Sequence, residues 1–152
     1  MAARGQAAVT TFVIDASVAA KWFLPSSQEH YSENAFLLLK RYVARQVRFV
    51  VPVLFWAELA NVCWKATRQG RWPQKDAQAA VSATKKRAFP TVPTLALLED
   101  AFAISTAFDR SIYDSLYIAL ALTTKSEFIT ADERLANAVA AHLPVKWVGL
   151  FA

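Results

Sequence analysis

Four of the 12 acidic residues stand where a solvated surface charge is out of character. Asp15 closes the apolar run TTFVI, and Asp132 follows the run EFIT by one turn residue. Glu58 lies in VLFWAELANVCW, a stretch with no other charge and no Lys or Arg at i±3 or i±4 to pair with it. Asp114 is followed by ten uncharged residues. Taken singly, each has a structural explanation: Asp15 and Asp132 as caps or turn formers, and Asp114 as a helix-dipole partner with Ser111, a contribution of about 0.3–1 kcal/mol. Glu58 is the hardest to explain in that way, because buried unpaired glutamate is rare. The set carries more weight than its members.

Four carboxylates in one crevice repel, since two unit charges about 4 Å apart interact by about 4 kcal/mol at an effective dielectric near 20. Either some of them hold protons with raised pKa, or a hard cation sits among them. Oxygen-only ligands select magnesium or manganese rather than zinc. The rest of the chain agrees: Cys63, His30 and His142 are too far apart in sequence for a closed zinc site, and the histidines take no role beside the acids. The 3 glycines, Gly5, Gly70 and Gly149, form neither a Walker loop nor a dinucleotide fingerprint. A divalent ion held by carboxylates is a common device for phosphodiester hydrolysis, because it activates water and neutralises the leaving oxygen.

The elements that must position these acids can be read from pattern. Residues 10–14, 48–51, 89–92, 127–130 and 146–148 read as strands, the first without alternation, as in a strand buried on both faces. Helices are expected over 17–24, 29–46 behind a Ser26–Glu29 capping box, from Pro52 to a Gly70 stop, over 73–86, from a Thr94 cap to 108, from Ser111 to 124, and after a Thr130–Glu133 box. Strand and helix alternate throughout, which predicts a three-layer α/β/α sandwich around a central, mostly parallel five-stranded sheet. One domain is expected over 1–152, with 1–9 as a loose N-terminal extension. Asp15 and Asp132 then fall at the carboxyl ends of strands, where sites form in open α/β sheets.

Net charge is +5, with 17 Lys+Arg, while 55% of residues are hydrophobic. A greasy, basic chain points toward a polyanionic partner such as nucleic acid. Lys21, Lys65, Arg68, Arg110 and Arg134 each lie near one of the acids in sequence and are candidate RNA phosphate contacts. Lys85, Lys86 and Arg87 read instead as a solvated helix end. Trp22, Phe23 and Leu24 form an apolar cluster that, if exposed, would make a groove for a hydrophobic partner segment; Trp56, Trp64 and Trp72 add to the aromatic load. Cys63, unpaired in an apolar helical stretch, suits a packing role in a reducing compartment. No signal peptide and no uncharged run of about 20 residues is read, so a cytoplasmic location and no membrane are expected.

With these residues in view, the chain resembles PIN-domain proteins, specifically the ribonuclease toxins of VapBC toxin–antitoxin pairs. The resemblance runs from about Phe12 to Val148 and rests on VIDASV at 13–18, P-x-L-x-x-A-E at 52–58, YDSLYIALA at 113–121 and FITADERL at 128–135. It implies that Asp15, Glu58, Asp114 and Asp132 are catalytic and bind Mg2+ or Mn2+, with Ser17 and Thr130 as the small hydroxyl residues that orient them. It further implies endoribonuclease activity on structured RNA such as tRNA or rRNA, restraint by a VapB-type antitoxin, and a homodimer. On this reading Asp15, Glu58 and Asp114 hold one ion, while Asp132 contributes to it, through water, or to a second ion. The rival from another class is a catalytically silent PIN-fold module that binds RNA or a partner, which needs a lost acid. An aspartyl phosphatase needs an acid pair two apart, and position 17 is Ser. A receiver domain is disfavoured because no acid neighbours Asp15.

Overall fold

The computed structural model describes residues 9–152; residues 1–8 of the expected N-terminal extension lie outside them. The strands are β1 Thr10–Ile14, β2 Val47–Pro52, β3 Thr91–Val92, β4 Glu127–Thr130 and β5 Val145–Trp147. The helices are α1 Ala16–Ala20, α2 Ser32–Val43, α3 Leu54–Arg68, α4 Gln74–Lys86, α5 Thr94–Phe108, α6 Ile112–Thr123 and α7 Glu133–Val139. All pairings are parallel and the sheet order is β3-β2-β1-β4-β5. Helices flank the sheet, giving the expected α/β/α layering. Val13, Ile14, Phe49, Val51, Phe128 and Ile129 are all buried, as strands covered on both faces require.

The order of the sheet decides where a site can form. From central β1 the chain winds outward through β2 and β3, then returns to the other side of β1 to lay down β4 and β5. Connections leaving β1 and β4 therefore diverge, and a crevice opens between their carboxyl ends. The register Ile14↔Ile129 brings Asp15 level with the end of β4, where the Asp15 N–H donates to the Ile129 carbonyl at 3.0 Å.

Several local expectations are corrected. The Ser26–Glu29 box does not start a helix: a single 3-10 turn spans Ser26–Gln28, Tyr31 turns left-handed at φ 60, and α2 begins at Ser32. The Glu29 carboxylate instead pairs with Lys21 at 3.7 Å, the one salt bridge among the described residues. Leaving a buried ammonium unpaired costs more than the roughly 1 kcal/mol of a helix cap. The helix expected at 17–24 is only one turn and a half. The box at Thr130–Glu133 is also displaced, since the N-cap of α7 is Asp132, whose Oδ1 accepts the Leu135 N–H at 3.0 Å. Thr94 is the first residue of α5, and the cap position is Pro93, with no side-chain bond. Gly70 does end α3 in the left-handed region, at φ 71; its N–H and that of Arg71 close back on Thr67 and Ala66 carbonyls, a Schellman-type stop.

Trp22 and Leu24 are buried, so this cluster is core and forms no groove for a partner. Trp22 stacks on Phe49 with centroids 5.7 Å apart, and Phe49 stacks in turn on Tyr42 at 4.8 Å. The Trp22 indole N–H donates to the Ala35 carbonyl at 2.9 Å, pinning α2 to the segment after α1. Such pairs add about 0.5–1.5 kcal/mol beyond area burial.

Candidate active site

Asp15, Glu58, Asp114 and Asp132, remote in sequence, line one pocket of about 310 Å³ with Ser17, Asn61, Val62 and Lys65. Each acid reaches it by a different element. Asp15 is the residue between β1 and α1, and its backbone is held by β4. Glu58 projects from α3 on the half-buried stripe Leu54, Glu58, Val62, and no other residue from Val53 to Trp64 carries a charge. Asp114 occupies the first turn of α6, where the Ser111 hydroxyl accepts its N–H at 3.1 Å. Asp132 caps α7 after β4.

The supporting hydroxyls sit between these acids. Thr130 is fully buried; its Oγ1 donates to Asp15 Oδ2 at 2.7 Å and accepts the Asp132 N–H at 3.0 Å. The Ser17 Oγ accepts the Ala131 N–H at 3.3 Å, while its own N–H donates to Asp15 Oδ1 at 3.4 Å. The two sides of the crevice are thus tied by Thr130 and Ser17, which give each Asp15 oxygen one hydrogen bond and leave each a further lone pair.

Electrostatically the site is strained against itself. Burial, with Asp114 nearby, raises Asp15 above the usual aspartate range against the lowering bonds from Thr130 and Ser17. Burial raises Glu58, and the charges of Asp15 and Asp114 add to it. Asp114 is raised by burial and by Asp132, and lowered by Ser111 and Arg110. Beneath them lies Tyr117, buried on α6 one turn after Asp114; burial and the carboxylates of Asp15 and Glu58 keep its phenol protonated. Glu58 Oε1 and the Tyr117 hydroxyl are both buried without a hydrogen-bond partner.

An orphaned carboxylate oxygen in a pocket walled by four carboxylates fits a hard divalent cation, which needs such ligands and offsets their repulsion. Among the described residues, no three acids are drawn tightly enough together to enclose an ion as they stand. They line the wall of an open pocket, as like charges that keep their distance do.

The cations divide. Lys65 lines the pocket itself. Arg110 is near enough to Asp114 to lower its pKa, and its Nε donates to the Asp109 carbonyl at 2.8 Å. Arg134 is exposed on α7, and Arg68 lies on α3 with its guanidinium 5.3 Å from the Trp64 ring centroid. Lys21 is the correction: it is buried and paired with Glu29, so it braces α1 and does not present itself to a phosphate. Sequence reasoning missed Asn61 and Tyr117. Their signal was spacing, since each stands three residues after an acid on the same helix face. Cys63 is buried, and burial pushes its thiol up, in keeping with a packing role. Among the described residues, no helix is long and apolar enough to cross a membrane.

Comparison with known proteins extends this picture. The chain is similar to Ribonuclease VapC3 of Pyrobaculum aerophilum, with 27% identity over 127 residues, 82% of this chain and 92% of that protein. A crystal structure of a Pyrobaculum aerophilum protein superposes with a TM-score of 0.66 at 19% identity, covering 95% of this chain and 93% of that one. The structure of VapBC2 from Rickettsia felis, bound to a DNA fragment from their promoter, matches at a TM-score of 0.62 and 12% identity, covering 91% and 98%. These two structural likenesses show the fold. The family model of the PIN domain matches residues 12–140, a span that holds all four acids, and the chain therefore belongs to the PIN-domain family.

Proposed function

We propose that this protein is a metal-dependent endoribonuclease and the toxin of a toxin–antitoxin pair, using Mg2+ or Mn2+ held by Asp15, Glu58, Asp114 and Asp132. The observation that carries the reading is the convergence of four sequence-remote carboxylates in one pocket at the divergence of β1 and β4, with one carboxylate oxygen left buried and unpartnered. Similarity to a ribonuclease over most of both chains supports RNA as the substrate.

When bound, a divalent ion supplies an activated water and charge neutralisation at the scissile phosphate. The protein's own part is placement. Thr130 and Ser17 hold the two oxygens of Asp15 in place at the pocket wall. Glu58 reaches in on a rigid helix, and the burial that raises its pKa makes it gain from a cation. Asp114 is held at the start of α6. Asp132 has one oxygen engaged in capping α7, so the other serves the site through water or a second ion. Lys65 at the pocket wall, with Arg110 and Arg134 nearby in sequence, orients the phosphate backbone without reading bases.

The substrate class is structured RNA such as tRNA or rRNA. A VapB-type antitoxin is the restraining partner, and the cytoplasm is the place of action. A homodimer is part of the same proposal, supported by the exposed apolar stripe Leu95, Leu98 and Phe102 on α5, the kind of surface that marks an interface. The test is to map new 5′ ends in total cellular RNA after incubation with the protein and Mn2+, with Asp114→Asn as control. New ends with the wild type alone are expected; no new ends in either sample overturns the reading in favour of a silent binding module.

A further inference from the structure

Helix α3 has two working faces. Glu58, Asn61, Val62 and Lys65 face the acid pocket. Around the helix, Trp64, Thr67 and Arg68 form one wall of a separate groove of about 730 Å³, whose other wall is Gln74, Gln78 and Val81 of α4. That volume lies within the range of small-ligand sites. Trp64 is 53% exposed, an uncommon place for the largest apolar side chain. Arg68 lies against the indole with its guanidinium carbon 5.3 Å from the ring centroid. Thr67 completes this wall with its hydroxyl buried behind it. No carboxylate is among the described residues that line the groove.

An exposed aromatic face beside a guanidinium, with side-chain amides opposite and no acid, is complementary to a nucleotide: the ring to a base, the cation to a phosphate, the amides to a base edge. Proteins that hold unpaired strands combine a basic groove with aromatic side chains in this way. Position agrees. Trp64 is six residues beyond Glu58 on one helix, about 9 Å along the axis and about 120° around it, so an unpaired strand that curves around α3 over a few nucleotides reaches both.

We propose that the groove between α3 and α4 is a nucleobase-stacking subsite, in which an unpaired base of the substrate RNA rests on Trp64 beside Arg68. The inference rests on the ribonuclease reading and sharpens it, because it makes the preferred substrate an unpaired segment, such as a loop, next to the cleaved bond.

The test is binding of a fluorescein-labelled, random-sequence single-stranded RNA pool, followed by anisotropy in EDTA so that no cleavage occurs. An abasic strand of the same length serves as the second ligand. Trp64→Ala is expected to bind the pool roughly ten- to a hundredfold more weakly, Trp64→Phe close to wild type, and all three to bind the abasic strand alike. Because Trp64 is half exposed, the variants should melt near the wild-type temperature. If Trp64→Ala does not fold, the wild-type preference for the pool over the abasic strand decides alone, and no preference overturns the subsite. Equal affinity of wild type and Trp64→Ala for the pool also overturns it, leaving the groove to a protein segment, while continued cleavage of total RNA keeps the ribonuclease reading. A wild type that neither binds the pool nor generates new 5′ ends overturns both.

Discussion

The Thr130 hydroxyl donates to Asp15 Oδ2 at 2.7 Å and accepts the Asp132 amide at 3.0 Å, so one buried side chain aligns acids that follow two different strands. Thr130→Val keeps the shape and removes the hydroxyl. It should cost about 1–3 kcal/mol, because the Asp132 N–H and an Asp15 oxygen lose their partner. Divalent-ion affinity should fall roughly ten- to a hundredfold, as for other ligand-orienting groups, with Thr130→Ser restoring most of it. Calorimetric titration with Mn2+ checks this; unchanged affinity in the valine form would remove Thr130 from the site.

Asp114→Asn is nearly isosteric and leaves the N-terminal turn of α6 intact. Its melting temperature should equal or exceed that of the metal-free wild type, since a raised, repelled carboxylate is removed. Cleavage of RNA with Mn2+ should fall by about a hundredfold or more, the loss of several kcal/mol of transition-state stabilisation. Equal activity in the two proteins would sink the assignment of Asp114.

Burial raises Asp15, Glu58 and Asp114 above their ordinary values. In the metal-free protein the fold therefore retains protons that the unfolded chain releases from about pH 4 upward. Their contribution to stability is fully present below that range and is lost as pH rises through the raised folded-state values. Divalent ions compete with those protons, so Mn2+ should raise the melting temperature more at about pH 8 than at about pH 5. At a hundredfold excess over Kd the gain is about 2.7 kcal/mol, or roughly 5–10 °C for a domain of this size. Scanning calorimetry with and without Mn2+ measures it, and a shift independent of pH would contradict a carboxylate site.

Glu58 and Tyr117 face one another without closing a hydrogen bond, and the phenol still lowers the carboxyl somewhat against its raised value. Tyr117→Phe keeps the ring, which stacks on Phe128 at 4.9 Å, and discards a hydroxyl that has no partner. Stability should change by less than about 1 kcal/mol. The acid limb of the pH–activity profile should move to higher pH, because Glu58 loses its one lowering influence. A profile identical to wild type would make Tyr117 a packing residue only.

Lys21 and Lys65 should separate cleanly. Lys65→Gln is expected to weaken RNA binding across sequences and to reduce the salt slope by about one, whereas Lys21→Met leaves RNA affinity unchanged. Glu29→Gln should destabilise the fold, since it leaves the buried Lys21 ammonium without its partner. Salt-dependent binding titrations and melting curves distinguish these outcomes; a lowered RNA affinity in Lys21→Met would return Lys21 to the phosphate contacts.

Much of the fold was legible because strand and helix periods differ and the breakers are well placed: Pro25, Pro73, Pro93 and Gly70 each mark a boundary or its near neighbour. Misreadings came where a side chain had a distant competitor. Glu29 and Thr130 both fit capping boxes, but Lys21 and Asp15, brought close by folding, offered each a stronger interaction than a helix end. The same blindness hid Tyr117, whose hydroxyl matters only because Glu58 arrives from another helix.

The sequence by itself determined which acids are out of place, that the candidate ligands among them are oxygens, and that strands alternate with helices, since residue chemistry and periodicity are local properties. Only the tertiary structure decided that the four acids share one pocket, because that follows from the order β3-β2-β1-β4-β5 and the divergence of chain paths at β1 and β4. It also decided which cations are free and which tryptophan is exposed. Burial is a sum over neighbours from the whole chain, and no window of sequence contains it.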